Sequence, residues 1–284
     1  MKTRKIANIL LAAAVVFCAT ACQSGFEQSK ASKPRKIALH SYVYHKCATL
    51  EDVVDDAASM GVNGVVLSRK IKLGKYPNAK VGVDMTAEQK AYVKKLFAEN
   101  KLEIASFGIG GDFINAGEAD KYFAFCKEMG IPIFTWEGDY RNIPALDKKA
   151  AKYGVKLAIH HHTKDYNKDN LYNVPEAMRA RVNGFDNVFA IVDNGHWARE
   201  KTDAVRGYRT IGNKIIMLHF KDVAKFGAKE KTDVALGEGV LNLPELLRTL
   251  DDIGFDGYFV LENETVFDNP TPTMRKSVKY LRNH

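Results

Sequence analysis

The sequence predicts a single closed (β/α)8 barrel, and three observations carry that reading. From Lys36 to the end of the chain, eight short apolar runs alternate with eight segments of helical periodicity. The runs are apolar at consecutive positions, which suits strands buried on both faces and so parallel strands beneath helices. About 250 residues hold these eight units, the usual size of such a barrel. An open doubly wound sheet would want a glycine-rich phosphate turn after its first strand, and "HSYVYHK" has none.

The strands are expected at "KIALHS" (36–41), "GVVLS" (64–68), "EIASFG" (103–108), "IFTWE" (133–137), "KLAIH" (156–160), "FAIVD" (189–193), "IIMLHF" (215–220) and "YFVLE" (258–262). Helices are expected near 49–60, 86–99, 118–129, 142–153, 174–182, 203–212, 243–252 and 271–282. Thr86 with Gln89 reads as a capping box, and Pro144 suits a first helical turn. Gly61, Gly130, Gly154 and Gly254 follow helices, where a left-handed residue ends the helix at little cost. "GIGGD" (108–112) reads as a sharply bending loop.

Residues 1–21 read as a signal peptide: Lys2, Arg4 and Lys5, then an apolar run from Ile9 to Phe17, then small residues. The run is too short to span a bilayer stably. Small residues directly before Cys22 resemble the lipobox of bacterial lipoproteins, with Ala19 where Leu is commonest. That resemblance implies lipidation of Cys22, a polar tether over 22–35, a barrel domain over 36–284, and anchoring in the cell envelope facing the periplasm. A plain secreted protein cut nearby is the alternative. The whole chain carries a formal charge of +8, and removing the three bases of the leader leaves 8 − 3 = +5. The excess is mild and scattered, with no block of like charge to track a phosphate backbone, so nucleic acid is not the expected partner. Beyond Cys18 and Cys22, Cys47 and Cys126 stand far apart. A disulfide is permitted in an oxidising envelope, but Cys126 at helical spacing reads as a buried free thiol.

In such a barrel the functional groups stand at the C-terminal ends of the strands. The runs end on His40, Phe107, Glu137, His160, Asp193, His219 and Glu262. Five of these, from Glu137 to Glu262, are candidate metal ligands or acid–base groups, and a divalent ion wants carboxylates and imidazoles converging from several directions. The fifth run ends in three histidines. Strand side chains alternate faces, so His160 and His162 are expected at the mouth and His161 in packing. His160 is expected on the metal, and His162 on metal or substrate. Glu137 is a ligand, a base or a loop cap. His40 is placed among the substrate-binding groups. Tyr42, Tyr44, Phe107, Trp136 and Trp197 are aromatic candidates for a sugar face, with Trp197 favoured as pocket wall; core packing is the competing reading.

"VDNGH", then "LHFKD", then "LE" on the last strand resembles the xylose-isomerase-like barrels, the sugar isomerase/epimerase superfamily, from about residue 36 to the end. The resemblance implies one divalent ion on Asp193, His219 and Glu262. It implies a histidine beside the metal ligands, but not on the ion, at His196, and a basic residue near Lys221 or Lys225. "ALGEGVLN" (235–242) is similar to the family's glycine-containing segment before the seventh helix. The epimerases' fifth-strand glutamate falls on His160 instead, which puts simple two-glutamate epimerisation in doubt.

The chemistry implied is removal of a proton beside a carbonyl to give an enediolate. Glu262 is ligand and base, with His196 and Lys221 at substrate hydroxyls or the developing oxyanion. Two imidazoles shift the metal, among Mn, Co, Zn and Mg, away from Mg. Export points to a non-phosphorylated sugar or glycoside. Elimination from a 3-keto-glycoside shares the first step, and a non-catalytic carbohydrate-binding lipoprotein is the reading from a different class.

Overall fold

The computed structural model describes residues 34–109, 118–166, 169 and 171–284. The expected leader, Cys22 and the tether up to residue 33 lie outside the described residues, as do Gly110, Gly111 and Asp112 of the glycine cluster. Among the described residues, no helix is long and apolar enough to cross a membrane.

Eight parallel strands close on themselves. They are β1 (Lys36–His40), β2 (Gly64–Ser68), β3 (Glu103–Gly108), β4 (Ile133–Trp136), β5 (Lys156–His160), β6 (Val188–Asp193), β7 (Ile215–His219) and β8 (Tyr258–Leu261). Each pairs with its neighbours in sequence, and β8 pairs with β1 from Lys36↔Tyr258 to Leu39↔Leu261. The helices are α1 (Leu50–Met60), α2 (Ala87–Glu99), α3 (Ala119–Met129), α4 (Ile143–Tyr153), α5 (Pro175–Val182), α6 (Ala204–Ile211), α7 (Leu243–Asp252) and α8 (Thr271–Asn283). All eight expected strands and helices are present, within a residue or two of their expected ends.

The local signals act as read. Thr86 and Gln89 bond reciprocally, Gln89 N to Thr86 Oγ1 at 3.2 Å and Thr86 N to Gln89 Oε1 at 2.9 Å. Thr49 and Asp52 make a second capping box at the start of α1. Gly61, Gly130 and Gly154 end α1, α3 and α4 in the left-handed region. Cys47 and Cys126 are both free thiols.

Alternation along the strands makes two cores. Ala38, Val66, Ala105, Ile133, Ala158, Ile191, Met217, Tyr258 and Val260 fill the barrel, while the larger cluster, with Leu39, Leu67, Phe134, Leu157 and Val192, packs between strands and helices. The register slips by one residue at two places. β3 carries an extra residue, Ala105, opposite Val65/Val66, and β7 carries an extra residue, Ile216, opposite Ala190/Ile191. Each slip exchanges which side chains face inward beyond it.

Small elements that were not expected include a 3-10 turn Ser41–Tyr44, a helix Asn194–Arg199 directly after β6, and a hairpin of Asp222–Val223 with Asp233–Val234 after β7. Asp193 Oδ1 accepts the His196 N–H at 2.9 Å and caps the helix that follows β6.

Gly257 enters β8 where the β7 bulge crosses it, and a methyl group there would lie 2.1 Å from Ile216 O. Gly257→Ala is expected to cost about 1–3 kcal/mol, because backbone must move to admit it. Urea unfolding of the variant at an unchanged midpoint would contradict this packing.

Candidate active site

The C-terminal ends of all eight strands open on one cavity of about 390 Å³, lined by His40, Glu137, His160, His162, His196, His219 and Glu262 among others. That size suits a small-molecule ligand. Strand alternation delivers these groups. Thr135 and Glu137 follow Ile133 inward from β4, His160 and His162 follow Ala158 from β5, and Glu262 follows Val260 from β8.

His160 Nδ1 meets Glu137 Oε1 at 2.9 Å, and His162 Nε2 lies 3.0 Å from Glu137 Oε2. Asp193 is fully buried, and three imidazole nitrogens surround its Oδ2: His196 Nε2 at 3.5 Å, His219 Nδ1 at 3.7 Å and His160 Nε2 at 3.9 Å. His219 Nδ1 is also 3.0 Å from Glu262 Oε2, and His40 Nε2 is 3.6 Å from Glu262 Oε1. The His40 Nδ1 accepts the Tyr42 N–H, so its hydrogen faces Glu262.

His160 Nε2 and His196 Nε2 are buried without a hydrogen-bond partner. Asp193 Oδ2 and His219 Nδ1 converge on them, each beside an opposite group, Lys221 Nζ at 2.9 Å and Glu262 Oε2 at 3.0 Å. A buried polar atom left unpaired costs about 1–3 kcal/mol, and here two of them converge. Three groups of residues, Glu137/His160/His162, His160/Asp193/His196 and Asp193/His219/Glu262, hold their ligand atoms within 4.8 Å of one another. The donor set fits a divalent ion on His160, Asp193, His219 and Glu262, with imidazoles favouring Zn, Co or Mn over Mg. Glu137 stands behind His160, the usual place of a carboxylate that orients a metal-binding imidazole.

The charges fit the same picture. Burial alone would push the His160 imidazole down, but Asp193 and Glu137 outweigh it and hold it up to about 10. Burial raises the Glu262 carboxyl, and His219, Lys221 and His40 outweigh that, so it stays ionised well below the usual carboxylate range. Burial lowers His196 well below its ordinary value despite Asp193, so its ring is neutral. Burial likewise lowers His40, to about 4.

His161 points away from the mouth, stacks on Trp197 at 5.1 Å and accepts the Asp193 N–H on Nε2 at 3.0 Å. It packs as expected and also fixes the β6 end.

Several expected contacts are placed elsewhere. Trp197 is fully buried beneath His161, with Nε1 bonded to Asn173 O, and Gly207 of α6 leaves room for its ring. Trp136 faces the helices because its neighbours Thr135 and Glu137 take the inward positions. Phe107 faces α3, against Phe125, because the extra Ala105 exchanges faces along β3. Tyr44 is buried, and among the aromatic candidates only Tyr42 lines the cavity. Lys225 is exposed in the loop of the hairpin and does not reach the cavity wall.

Lys221 lies under the cavity and does not line it. Its Nζ is 2.9 Å from Asp193 Oδ2, 3.0 Å from Glu264 Oε2 and 3.2 Å from Glu262 Oε2. Burial would lower its pKa, but Asp193, Glu264 and Glu262 hold it well above the ordinary lysine value. It is a fixed counter-charge to these carboxylates, not a contact for substrate. Sequence reasoning did not find Arg69, Lys70, Tyr166, Arg199 and Lys231, which also line the cavity. Arg199 ends the short helix after β6 and the other four sit in loops, where strand alternation gives no signal.

Residues 54–284 match the family model of the xylose isomerase-like TIM barrels. An inosose dehydratase of Clostridium perfringens is 22% identical over 204 residues, 60% of this chain and 67% of that protein. Inosose dehydratases of Klebsiella pneumoniae and Lacticaseibacillus casei are matched over 54% and 56% of their length. The crystal structure of the 3-keto-D-glucoside 4-epimerase YcjR from E. coli aligns with a TM-score of 0.69 at 16% identity, covering 88% of this chain and 100% of that one. The IolI protein with a bound zinc atom aligns at 0.69 and 17%, covering 86% and 95%. At these identities the likeness is one of fold.

Zn2+ titration is expected to load one ion, and His160→Ala and Asp193→Ala are each expected to lose it. Glu137→Gln should still bind, about 10–100-fold more weakly, because it orients a ligand and is not one. Three variants that bind like the wild type would remove the metal site. The ion must also displace the proton that the metal-free chain keeps on His160 up to about 10. Affinity should therefore rise about tenfold per pH unit between roughly pH 6 and 8; a flat profile would contradict that charge state.

Proposed function

The chain belongs to the xylose isomerase-like TIM barrel family, and from that premise we propose a divalent-metal-dependent enzyme that removes a proton beside a carbonyl of a non-phosphorylated sugar. The observation that carries this is the convergence of the buried ligand atoms of His160, Asp193 and His219, with His160 Nε2 unpartnered, beside the Glu262 carboxylate that lines the cavity. An ion held there would supply positive charge against the oxygen that becomes anionic as the proton leaves.

The chain's own groups do the rest. Glu262, ionised and exposed to the cavity, takes the proton. His40 Nε2 and Lys221 flank its two oxygens and keep it charged before substrate arrives. His196 offers a neutral ring at the oxygen that gains charge. Glu137 is occupied with His160 and His162 and orients them. A leader-like start and the sequence around Cys22 support an exported, lipid-anchored protein, and export in turn supports a sugar without phosphate.

The fifth strand favours a second reading. His160 stands where epimerases carry their second glutamate, so a carboxylate to return the proton on the opposite face is lacking at that place. One base suffices for elimination. In a 3-keto-glycoside, loss of the C2 proton gives an enediolate, which collapses to expel the C1 substituent as the C1–O bond breaks. An inosose dehydratase among the relatives and a 3-keto-D-glucoside epimerase among the structural neighbours support keto-sugar chemistry in this fold.

The test is the metal-loaded protein with a nitrophenyl 3-keto-glucoside in D2O. Deuterium at the carbon beside the carbonyl with no nitrophenol released identifies isomerase or epimerase chemistry. Release of nitrophenol identifies elimination. Glu262→Gln should slow either by about 10²–10⁴-fold. Sugar binding with neither reaction would make the protein a carbohydrate-binding one and sink the proposal.

A further inference from the structure

We infer that Arg199 fixes the tautomer of His196, so that His196 meets the cavity as a neutral hydrogen-bond donor through Nε2 and stays out of the metal's ligand set. The inference deepens the proposed function, since the oxygen that this donor would meet is the substrate's.

Arg199 Nη1 points at His196 Nδ1, 3.2 Å away. A guanidinium has only donors and does not lose its proton in a protein. The His196 Nδ1 must therefore present its lone pair, and the single hydrogen of the neutral ring sits on Nε2. The guanidinium is itself held, with Nε and Nη2 both donating to Lys229 O at 3.3 and 2.9 Å. The His196 backbone is pinned by its N–H to Asp193 Oδ1, and the ring is buried. Its Nε2 then faces the centre, 3.5 Å from Asp193 Oδ2 and without an aligned hydrogen bond.

His160 is the contrast. Its ring centroid is 6.0 Å from that of His196, and its Nε2 is equally unpartnered. But its Nδ1 faces a carboxylate, Glu137, at 2.9 Å. A carboxylate takes a hydrogen where a guanidinium gives one. When both rings are neutral, His160 has its lone pair on Nε2, toward the centre, and His196 has its hydrogen there. By spacing alone, His160/Asp193/His196 is as good a triad for a metal ion as Asp193/His219/Glu262. Arg199 is the positioning residue that removes His196 from the first triad and turns its face to a substrate oxygen.

The experiment is two-bond proton–nitrogen correlation on the purified protein labelled with 15N-histidine, with and without Zn2+, using His196→Gln to assign the ring. Wild-type His196 should carry hydrogen on Nε2 only, before and after Zn2+. In Arg199→Met, which keeps the length and loses the donor, the ring should spread over both tautomers, and Zn2+ should shift its Nε2 signal as it joins the ligand set. Arg199→Lys retains a donor and should restore the wild-type pattern. Hydrogen on Nδ1 in the wild type, or an Arg199→Met ring that behaves like the wild type, would overturn the inference. If Arg199→Met does not fold, the wild-type and Arg199→Lys spectra decide it. No substrate enters the measurement, so an inactive enzyme with this tautomer in place would count against the proposed reaction and not against Arg199.

Discussion

The ammonium of Lys221 is buried among Asp193, Glu262, Glu264 and Asp233, with its nitrogen 2.9 to 3.9 Å from an oxygen of each. Ionised carboxylates cannot stay in a barrel interior alone; without a counter-charge they would take up protons and cease to be ligands or bases. Asn194 holds this cation in place, accepting the Lys221 N–H on Oδ1 and donating from Nδ2 to Lys221 O. The same pair of bonds ties the end of β6 to the end of β7. One buried amine thus keeps the acidic groups charged, and the backbone around it keeps them convergent.

Within that constraint the convergent groups are paired one by one. Glu137 meets His160 Nδ1, His161 accepts the Asp193 N–H, and Arg199 meets His196 Nδ1. Each partner differs in chemical type, and each type dictates what the group it meets can offer to the centre. A carboxylate, an imidazole nitrogen and a guanidinium therefore give three different assignments to otherwise similar positions.

Much of this was legible because strand side chains alternate. The three consecutive histidines at 160–162 sort themselves by parity, and Glu137, Asp193, His219 and Glu262 follow from being the polar residues that close apolar runs. Where parity was ignored or broken, the reading failed. Trp136 has the wrong parity beside Glu137, which the sequence already contained. Phe107 was misplaced by a bulge at Ala105, which no pattern in "EIASFG" announces. Loops gave least. The helix after β6 depends on an Asp193 cap competing with Asp-Asn-Gly turn chemistry, and its packing against Trp197 and α6 is a tertiary outcome. Arg199, Lys231 and Tyr166 reach the cavity through such segments, so their place could be known only once the barrel was closed.

The chain enters the barrel at Lys36, the N-terminal end of β1, while His40 at the other end of the same strand lines the cavity. Arg35 is clamped there by two bonds of 3.0 Å to Asp251 at the end of α7, on the floor of the barrel. The clamp therefore fastens the first strand to the seventh helix on the face opposite the mouth. Closing the barrel at its floor and filling the cavity at its mouth thus draw on separate residues, and a change at one end of β1 need not disturb the other.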